Sequence, residues 1–316
     1  MDQVQFKVGT KDELDEFVQL WNRVWPNHLQ DAEDRRRDLE VLPVEQRAQF
    51  WLAKYEETSV GFAEISNGVG SYHPQRFELE IGVVPEYRGR GIGQALWELT
   101  LREVEFRNPM SILVRCRKDD EPSVMFAERR GFSIIKEDFE SFLDLTRLDL
   151  SRIDEIVRPA ELHGIEIRPA SELDSPDFRR AWHELFLIVR QDTPRSAPPT
   201  HLPFEQFSAL VLDDPSLLWE GSMIAMAGTH PIGFSGLFKH IREGELDQWL
   251  TAVLAAYRGQ GIAKSLKAAG LRWALANGYH RIRTDNDSRN APMLAINDSL
   301  GFERLPSIVT LVKLFD

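Results

Sequence analysis

Two short stretches of this chain have the composition of an anion cradle. The first is Val83-Val84-Pro85-Glu86-Tyr87-Arg88-Gly89-Arg90-Gly91-Ile92-Gly93, and it returns 170 positions later as Val253-Leu254-Ala255-Ala256-Tyr257-Arg258-Gly259-Gln260-Gly261-Ile262-Ala263. In each, an apolar strand runs into a glycine-rich turn and the turn into an amphipathic helix. The first N–H groups of such a helix lack internal partners, and the positive end of the helix dipole stands behind them. Gly89, Gly91 and Gly93, or Gly259, Gly261 and the small Ala263, remove the side chains that would hold a ligand off the backbone. A pyrophosphate can lie directly on such a turn. Arg88 and Arg90, or Arg258 and Lys264, add positive charge, while Ile92 and Ile262 point inward with the apolar stripe of each helix. A glycine-rich turn can also do no more than start a helix, and that reading stays open for either turn alone. No Lys-Ser/Thr follows the last glycine, so this is not a Walker P-loop, and the glycine spacing is not that of a dinucleotide fingerprint.

The elements that must position these turns are repeated too. Gly131-Phe132 and Gly301-Phe302 keep the same 170-residue spacing. Hydrophobic periodicity predicts, for the first half, strands at 4–8, 49–55, 60–66, 77–84, 110–116, 133–139 and 141–148, and helices at 11–24, 31–40, 91–107 and 122–130. For the second half it predicts strands at 165–168, 223–228, 231–238, 245–253, 281–285 and 308–314, and helices at 177–190, 204–212, 261–277 and 292–300. The duplication divides the chain into residues 1–152, a polar linker at 153–164, and residues 165–316. Residues 191–203 hold four prolines, which suits either a plain connection or an ordered lid over a site.

Composition narrows the function. A net charge of −12 with no basic face argues against nucleic acid as a partner. No apolar run reaches the roughly 20 residues that span a bilayer, and no signal-peptide pattern opens the chain, so neither membrane association nor export is expected. The single cysteine, Cys116, fits a reducing, cytoplasmic compartment and reads as a small buried residue. The histidines show no ligand spacing, so no metal is expected.

Taken together, the two Arg-x-x-Gly-x-Gly/Ala turns and the two Gly-Phe pairs resemble the GNAT N-acetyltransferases. Asn290-Ala291-Pro292-Met293 and Asn297-Asp298-Ser299-Leu300-Gly301-Phe302 strengthen that likeness. The resemblance covers nearly the whole chain, in a tandem arrangement similar to the mycothiol synthase-like two-domain acetyltransferases. It implies an α/β fold of two GNAT domains, each a mostly antiparallel twisted sheet with flanking helices. In each, the fourth and fifth strands splay apart at a bulge. It implies acetyl-CoA, or another acyl-CoA, with its pyrophosphate on residues 88–93 and 258–263 and its pantetheine arm along Val83, Val84, Val253 and Leu254. The N–H near Val83 or Val253 would face the thioester oxygen, and a small amine would attack directly. Asn290 and Asn297 would either hold the pantetheine arm or cap and flank their helix. Oligomeric state is open; a monomer whose halves pack as a pseudo-dimer is compatible with the repeat.

The family's usual tyrosine acid falls on Ala127 and Asn297, so neither half keeps it. For that reason a non-catalytic acyl-CoA sensor or scaffold stands as the alternative to an N-acetyltransferase. Candidate bases are Glu80 with Glu78 on one strand, and Glu245 with Asp247 on the other. The repeat spacing aligns the latter pair with Gln75 and Phe77, and all four also read as solvated strand-face carboxylates. The Asn-bearing helix and the possible lid favour the second half for catalysis, with Glu245 or Asp247 as base.

Overall fold

The computed structural model describes residues 4–149, 151, 153, 156 and 164–315. In chain order the first half gives β1 (Val4–Val8), α1 (Leu14–Val24), α2 (Ala32–Val41), β2 (Gln49–Tyr55), β3 (Thr58–Ser66), β4 (Arg76–Val83), α3 (Ile92–Glu105), β5 (Ser111–Arg117), α4 (Glu121–Glu128) and β6 (Ser133–Asp144). The second half gives β7 (Ile165–Pro169), α5 (Pro176–Val189), α6 (Phe204–Phe207), β8 (Met223–Ala227), β9 (His230–Lys239), β10 (Glu245–Val253), α7 (Ile262–Ala276), β11 (Arg281–Asp287), α8 (Ala291–Leu300), β12 (Glu303–Arg304) and β13 (Ile308–Leu314). The two strands expected at 133–139 and 141–148 are one continuous strand, β6. Among the described residues no helix is long and apolar enough to cross a membrane.

The compact units do not follow the sequence halves. One runs to Lys136 and takes back the chain from Ile308; the other is Glu137–Ser307. In the first unit the strand order is β1-β2-β3-β4-β5-β13, with β13 antiparallel to β5 from Ile308↔Arg117 to Leu314↔Ser111. In the second it is β6-β11-β10-β9-β8-β7, with β6 antiparallel to β11 from Asp144↔Arg281 to Asp138↔Asp287. Each unit is thus completed by a strand from the other half of the sequence. A division at 152 and 165 follows the duplication, whereas packing follows this exchange. Most of the 153–164 linker lies outside the described residues.

Alternation along the strands sets two layers in each unit. In the first, Phe62 of β3 packs on Phe17 and Trp21 of α1. A side chain at the neighbouring Gly61 would meet Ile92 and Leu96 of α3 on the other face. In the second, Phe234 of β9 packs on Trp182 of α5, and a side chain at Gly233 would meet Leu266 of α7. All of these apolar side chains are nearly or wholly buried, so burying the α1, α3, α5 and α7 faces is what seats the glycine turns against the strands.

Candidate active site

In both units the turn places glycines in the left-handed region. Gly91 and Gly261 are the N-caps of α3 and α7, at φ 81° and 80°, with no side-chain cap. Gly89 and Gly259 also lie at positive φ, and a Cβ at either would meet nothing within 4 Å. Both turns therefore offer bare backbone at a helix start.

Beside each turn a pair of parallel strands comes apart. The β4–β5 register runs from Arg76↔Ser111 to Glu78↔Leu113 and stops. The β10–β11 register runs from Glu245↔Arg281 to Asp247↔Arg283 and stops. Val84 N–H donates to Val60 O at 3.0 Å, and Leu254 N–H to Ile232 O at 2.8 Å. Successive strand amides point to opposite sides, so the N–H groups of Val83 and Val253 face the openings. Arg88 Nε donates to Val83 O at 3.1 Å and Arg258 Nε to Val253 O at 3.0 Å. These arginines tie strand end to turn. Each also meets a carboxylate, Asp120 at 3.6 Å and Asp192 at 2.7 Å. Arg90 lies over the Tyr87 ring and donates to Glu86 O.

In the first unit the opening is a cavity of about 420 Å³, with Val83, Arg88, Gly89, Gly91, Ile92 and Gly93 in its wall. Deeper in, its lining is apolar: Leu79, Ile81, Trp97, Val114, Phe126 and Phe132, together with Ala127. Trp97 meets Phe132 edge-on at 5.6 Å. Cys116 also lines it, and burial pushes its thiol up to about 12, so it is no nucleophile. Two further wall residues escaped the sequence reading. Arg130 lies over the Phe126 ring and donates to Gln94 and, at 2.6 Å, to Phe126 O. Arg115 donates through Nε to Glu80 Oε1 at 3.0 Å.

Glu80 sits three residues before Val83 with a side chain 13% exposed. Burial raises its carboxyl above the ordinary range, against the opposing pull of Arg115. Across the strand pair it faces Glu64, itself ion-paired to Arg35 of α2. This layer of the first unit is therefore charged, with a carboxylate poised to accept a proton nearer neutral pH than usual.

The second unit is built differently at both places. A bulge between Gln248 and Thr251 adds one residue to β10, whereas the β3–β4 register runs unbroken from Gly61↔Val83 to Ser66↔Glu78. The 170-residue alignment of Glu245 and Asp247 with Gln75 and Phe77 therefore fails here. Asp247 stands opposite Arg283 as Glu78 stands opposite Leu113, and Glu245 takes the place of Arg76. The bulge residues Trp249 and Leu250 occupy the position of Glu80. Trp249 stacks on Phe186 at 5.5 Å and packs on Phe234 and Phe238. The second unit thus has aromatic packing where the first has a carboxylate.

Glu245 and Asp247 are not brought to the opening. At roughly 3.3 Å per residue, Glu245 lies about 26 Å and Asp247 about 20 Å along the strand from Val253. Glu245 is buried and already engaged by Arg283 at 3.1 Å, Arg281 at 3.5 Å and His240 at 3.7 Å. It anchors the closed end of the strand pair.

Asn290 caps α8, its Oδ1 accepting from Met293 N–H at 3.4 Å, as Asp120 caps α4. Asn297 is different: it is 2% exposed, its Nδ2 donates to Asn286 Oδ1 at 2.6 Å, and its Oδ1 is buried with no partner. Residues 191–203 are held at both ends. Asp192 binds Arg258, and Leu202 O lies 2.8 Å from His183 Nε2.

The chain is similar to known proteins. The Acetyltransferase (GNAT) family model matches residues 14–132 and again 169–302. A mycothiol acetyltransferase of Rhodococcus opacus is 26% identical over 268 residues, 80% of this chain and 79% of its own. One of Pseudarthrobacter chlorophenolicus is 26% identical over 238 residues, 72% and 67% of the two chains. Among solved structures, the tandem GNAT protein from the clavulanic acid biosynthesis pathway has a TM-score of 0.74 at 18% identity, covering 98% of both chains. A GCN5-related N-acetyltransferase from Sphaerobacter thermophilus has a TM-score of 0.72 at 18% identity, covering 99% of this chain and 96% of the other.

Proposed function

The chain belongs to the acetyltransferase (GNAT) family and is an N-acetyltransferase of tandem type, and we propose that it moves the acetyl group of acetyl-CoA to a small amine in its first unit. The observation that carries this reading is the 420 Å³ cavity reaching from the bare glycine turn to the parted strands β4 and β5, with Glu80 bonded to its wall residue Arg115. Bound acetyl-CoA supplies an activated thioester. The turn at residues 88–93 would take the pyrophosphate, and the free edge of β4 would pair with the pantetheine arm. Val83 N–H would donate to the oxygen that gains negative charge as the amine adds. Glu80 would take the amine's proton, directly or through a water, and its raised pKa suits that task near neutrality.

The second unit offers the same turn and the same free edge, at Val253, but no carboxylate at the place of Glu80. Proton removal accordingly falls to the first unit rather than to Glu245 or Asp247. A single cysteine suits a reducing compartment, which supports a cytoplasmic enzyme. The test is turnover of acetyl-CoA against a panel of amines, with calorimetry of acetyl-CoA binding. Wild type should bind and acetylate at least one amine, and Glu80→Gln should bind equally but acetylate slowly. Binding without turnover of any amine would instead favour a sensor or scaffold that keeps the fold.

A further inference from the structure

The residues that close α1 and α5 differ in kind. Trp25 is the C-cap of α1 and Arg190 that of α5. Eight residues earlier in each helix, Phe17 and Trp182 make the same aromatic contact, on Phe62 and Phe234 respectively. Trp25 and Arg190 therefore hold equivalent places. Trp25 lines the first cavity. Arg190 is 1% exposed, with its guanidinium carbon 5.0 Å from the centroid of Phe186.

This arginine is held against the unpaired stretch of β10. The stretch begins after Asp247, where pairing with β11 stops. Near its start Trp249 stacks on Phe186. At its end Val253 O accepts from Arg258, which binds Asp192, two residues after Arg190. The end of α5 thus runs alongside the opening, on the face away from α7. A second guanidinium joins it there. Arg195 lies in the proline-bearing segment held at Asp192 and Leu202, and among the described residues its Nε is buried with no hydrogen-bond partner. Burial lowers the pKa of Arg190, and the charge of Arg195 pushes the same way. Burial lowers that of Arg195 as well. Two buried cations stand in each other's field, an arrangement that costs folding free energy unless an anion completes it.

We propose that the α5 face of the second unit binds a small oxyanion, a carboxylate or phosphate, gripped by Arg190 and Arg195 while the apolar body of the molecule lies on the half-buried Trp249. A guanidinium presents paired N–H donors that match two oxygens of either group. Stacking on Phe186 fixes the plane of Arg190 before a ligand arrives, and the two anchors of its segment restrain Arg195, which lowers the cost of binding. Where the first unit places the carboxylate Glu80 on this layer, the second places cations, so the two faces select ligands of opposite charge. The site requires no coenzyme on the glycine turn, and its failure would leave the proposed acetyl transfer untouched.

The experiment is calorimetry and thermal melting of the full-length protein with phenyl phosphate, with benzoate and with the neutral benzamide. At least one anion should bind and raise the melting temperature as its concentration rises, and benzamide should do neither. The anion that binds more tightly tells phosphate from carboxylate. Arg195→Gln should weaken that anion by about tenfold, which assigns the binding to this face rather than to the glycine turns. Arg195→Lys should restore only part of the loss, because a point charge lacks the paired donors. Without ligand, Arg195→Gln should melt higher than wild type, since it relieves the repulsion between buried cations; a residue kept for the fold would do the reverse. The proposal is overturned if neither anion binds, if benzamide binds equally, if Arg195→Gln keeps full affinity, or if ligand-free Arg195→Gln melts lower.

Discussion

The two clefts share a turn, a helix start and a parted strand pair, yet their chemical groups are distributed in opposite ways. The first has apolar walls between α3 and α4, and a buried carboxylate, Glu80, on the other layer. The second has a buried lysine and paired asparagines between α7 and α8, and aromatic packing by Trp249 on the other layer. The first unit sets a buried carboxylate beside its parted strands, and the second a buried lysine beside an asparagine pair. The repeat keeps the glycine turn and the parted strands in both units, while the side chains around them differ.

The largest effects should come from abolishing either cradle. Gly91→Asp and Gly261→Asp each place a carboxylate and a disfavoured left-handed backbone at the helix start, opposing pyrophosphate. Each should weaken acetyl-CoA binding in its own cleft by about a hundredfold or more. Calorimetry should show one site lost per variant, and loss of neither would put the phosphate elsewhere.

Next is the base. Glu80→Gln should lower kcat by about 10²–10³-fold with acetyl-CoA affinity unchanged, and the rise of activity with pH should flatten. Paired Glu245→Gln and Asp247→Asn should not reproduce that flattening. If they do and Glu80→Gln does not, the assignment of the two clefts is reversed. Glu80 also bears on stability. Its folded pKa lies above the unfolded value, so its contribution is present at low pH and lost as pH rises through the folded value. Glu80→Gln should accordingly melt higher than wild type at alkaline pH.

A smaller effect is expected at Arg115. Its charge lowers the pKa of Glu80, so Arg115→Met should move the rising limb of the pH–rate profile to higher pH and cost about tenfold at neutrality. An unmoved limb would separate Glu80 from the titration seen in turnover.

The smallest effect concerns the second cleft in the absence of ligand. Lys267 titrates near 7 when folded and near 10.4 when unfolded. Folding then loses stability as pH falls between these values and loses no more below about 7. The melting temperature of Lys267→Met should exceed that of wild type by an amount that grows as pH is lowered toward 7 and then levels off. A pH-independent difference would place the ammonium in a solvated setting and remove the contrast between the clefts.

Much of this architecture is legible in the residues. β1, β2, β10 and β13 fall where alternation places them, and both turns adopt the positive φ that their glycines permit. Pattern could not reveal the bulge in β10, because one inserted residue changes register without changing composition, and it is this bulge that puts Trp249 and Leu250 where the first unit has Glu80; Glu245 and Asp247 miss the opening simply because they lie eight and six residues before Val253. Lys267 escaped notice because a lysine in an amphipathic helix ordinarily faces water, yet here it is buried with its Nζ over the Phe302 ring. The partner of the last strand escaped as well, since a run such as Ile308–Leu314 declares that it will pair but not with which neighbour.

That last pairing bears on how the protein is made. During translation β5 leaves the ribosome with a bare edge, and the strand that covers it, β13, is synthesised only after the whole of Glu137–Ser307. Throughout that interval the first unit offers unpaired backbone to any passing chain. A gene cut between its two repeats would yield fragments that each lack a strand held by the other.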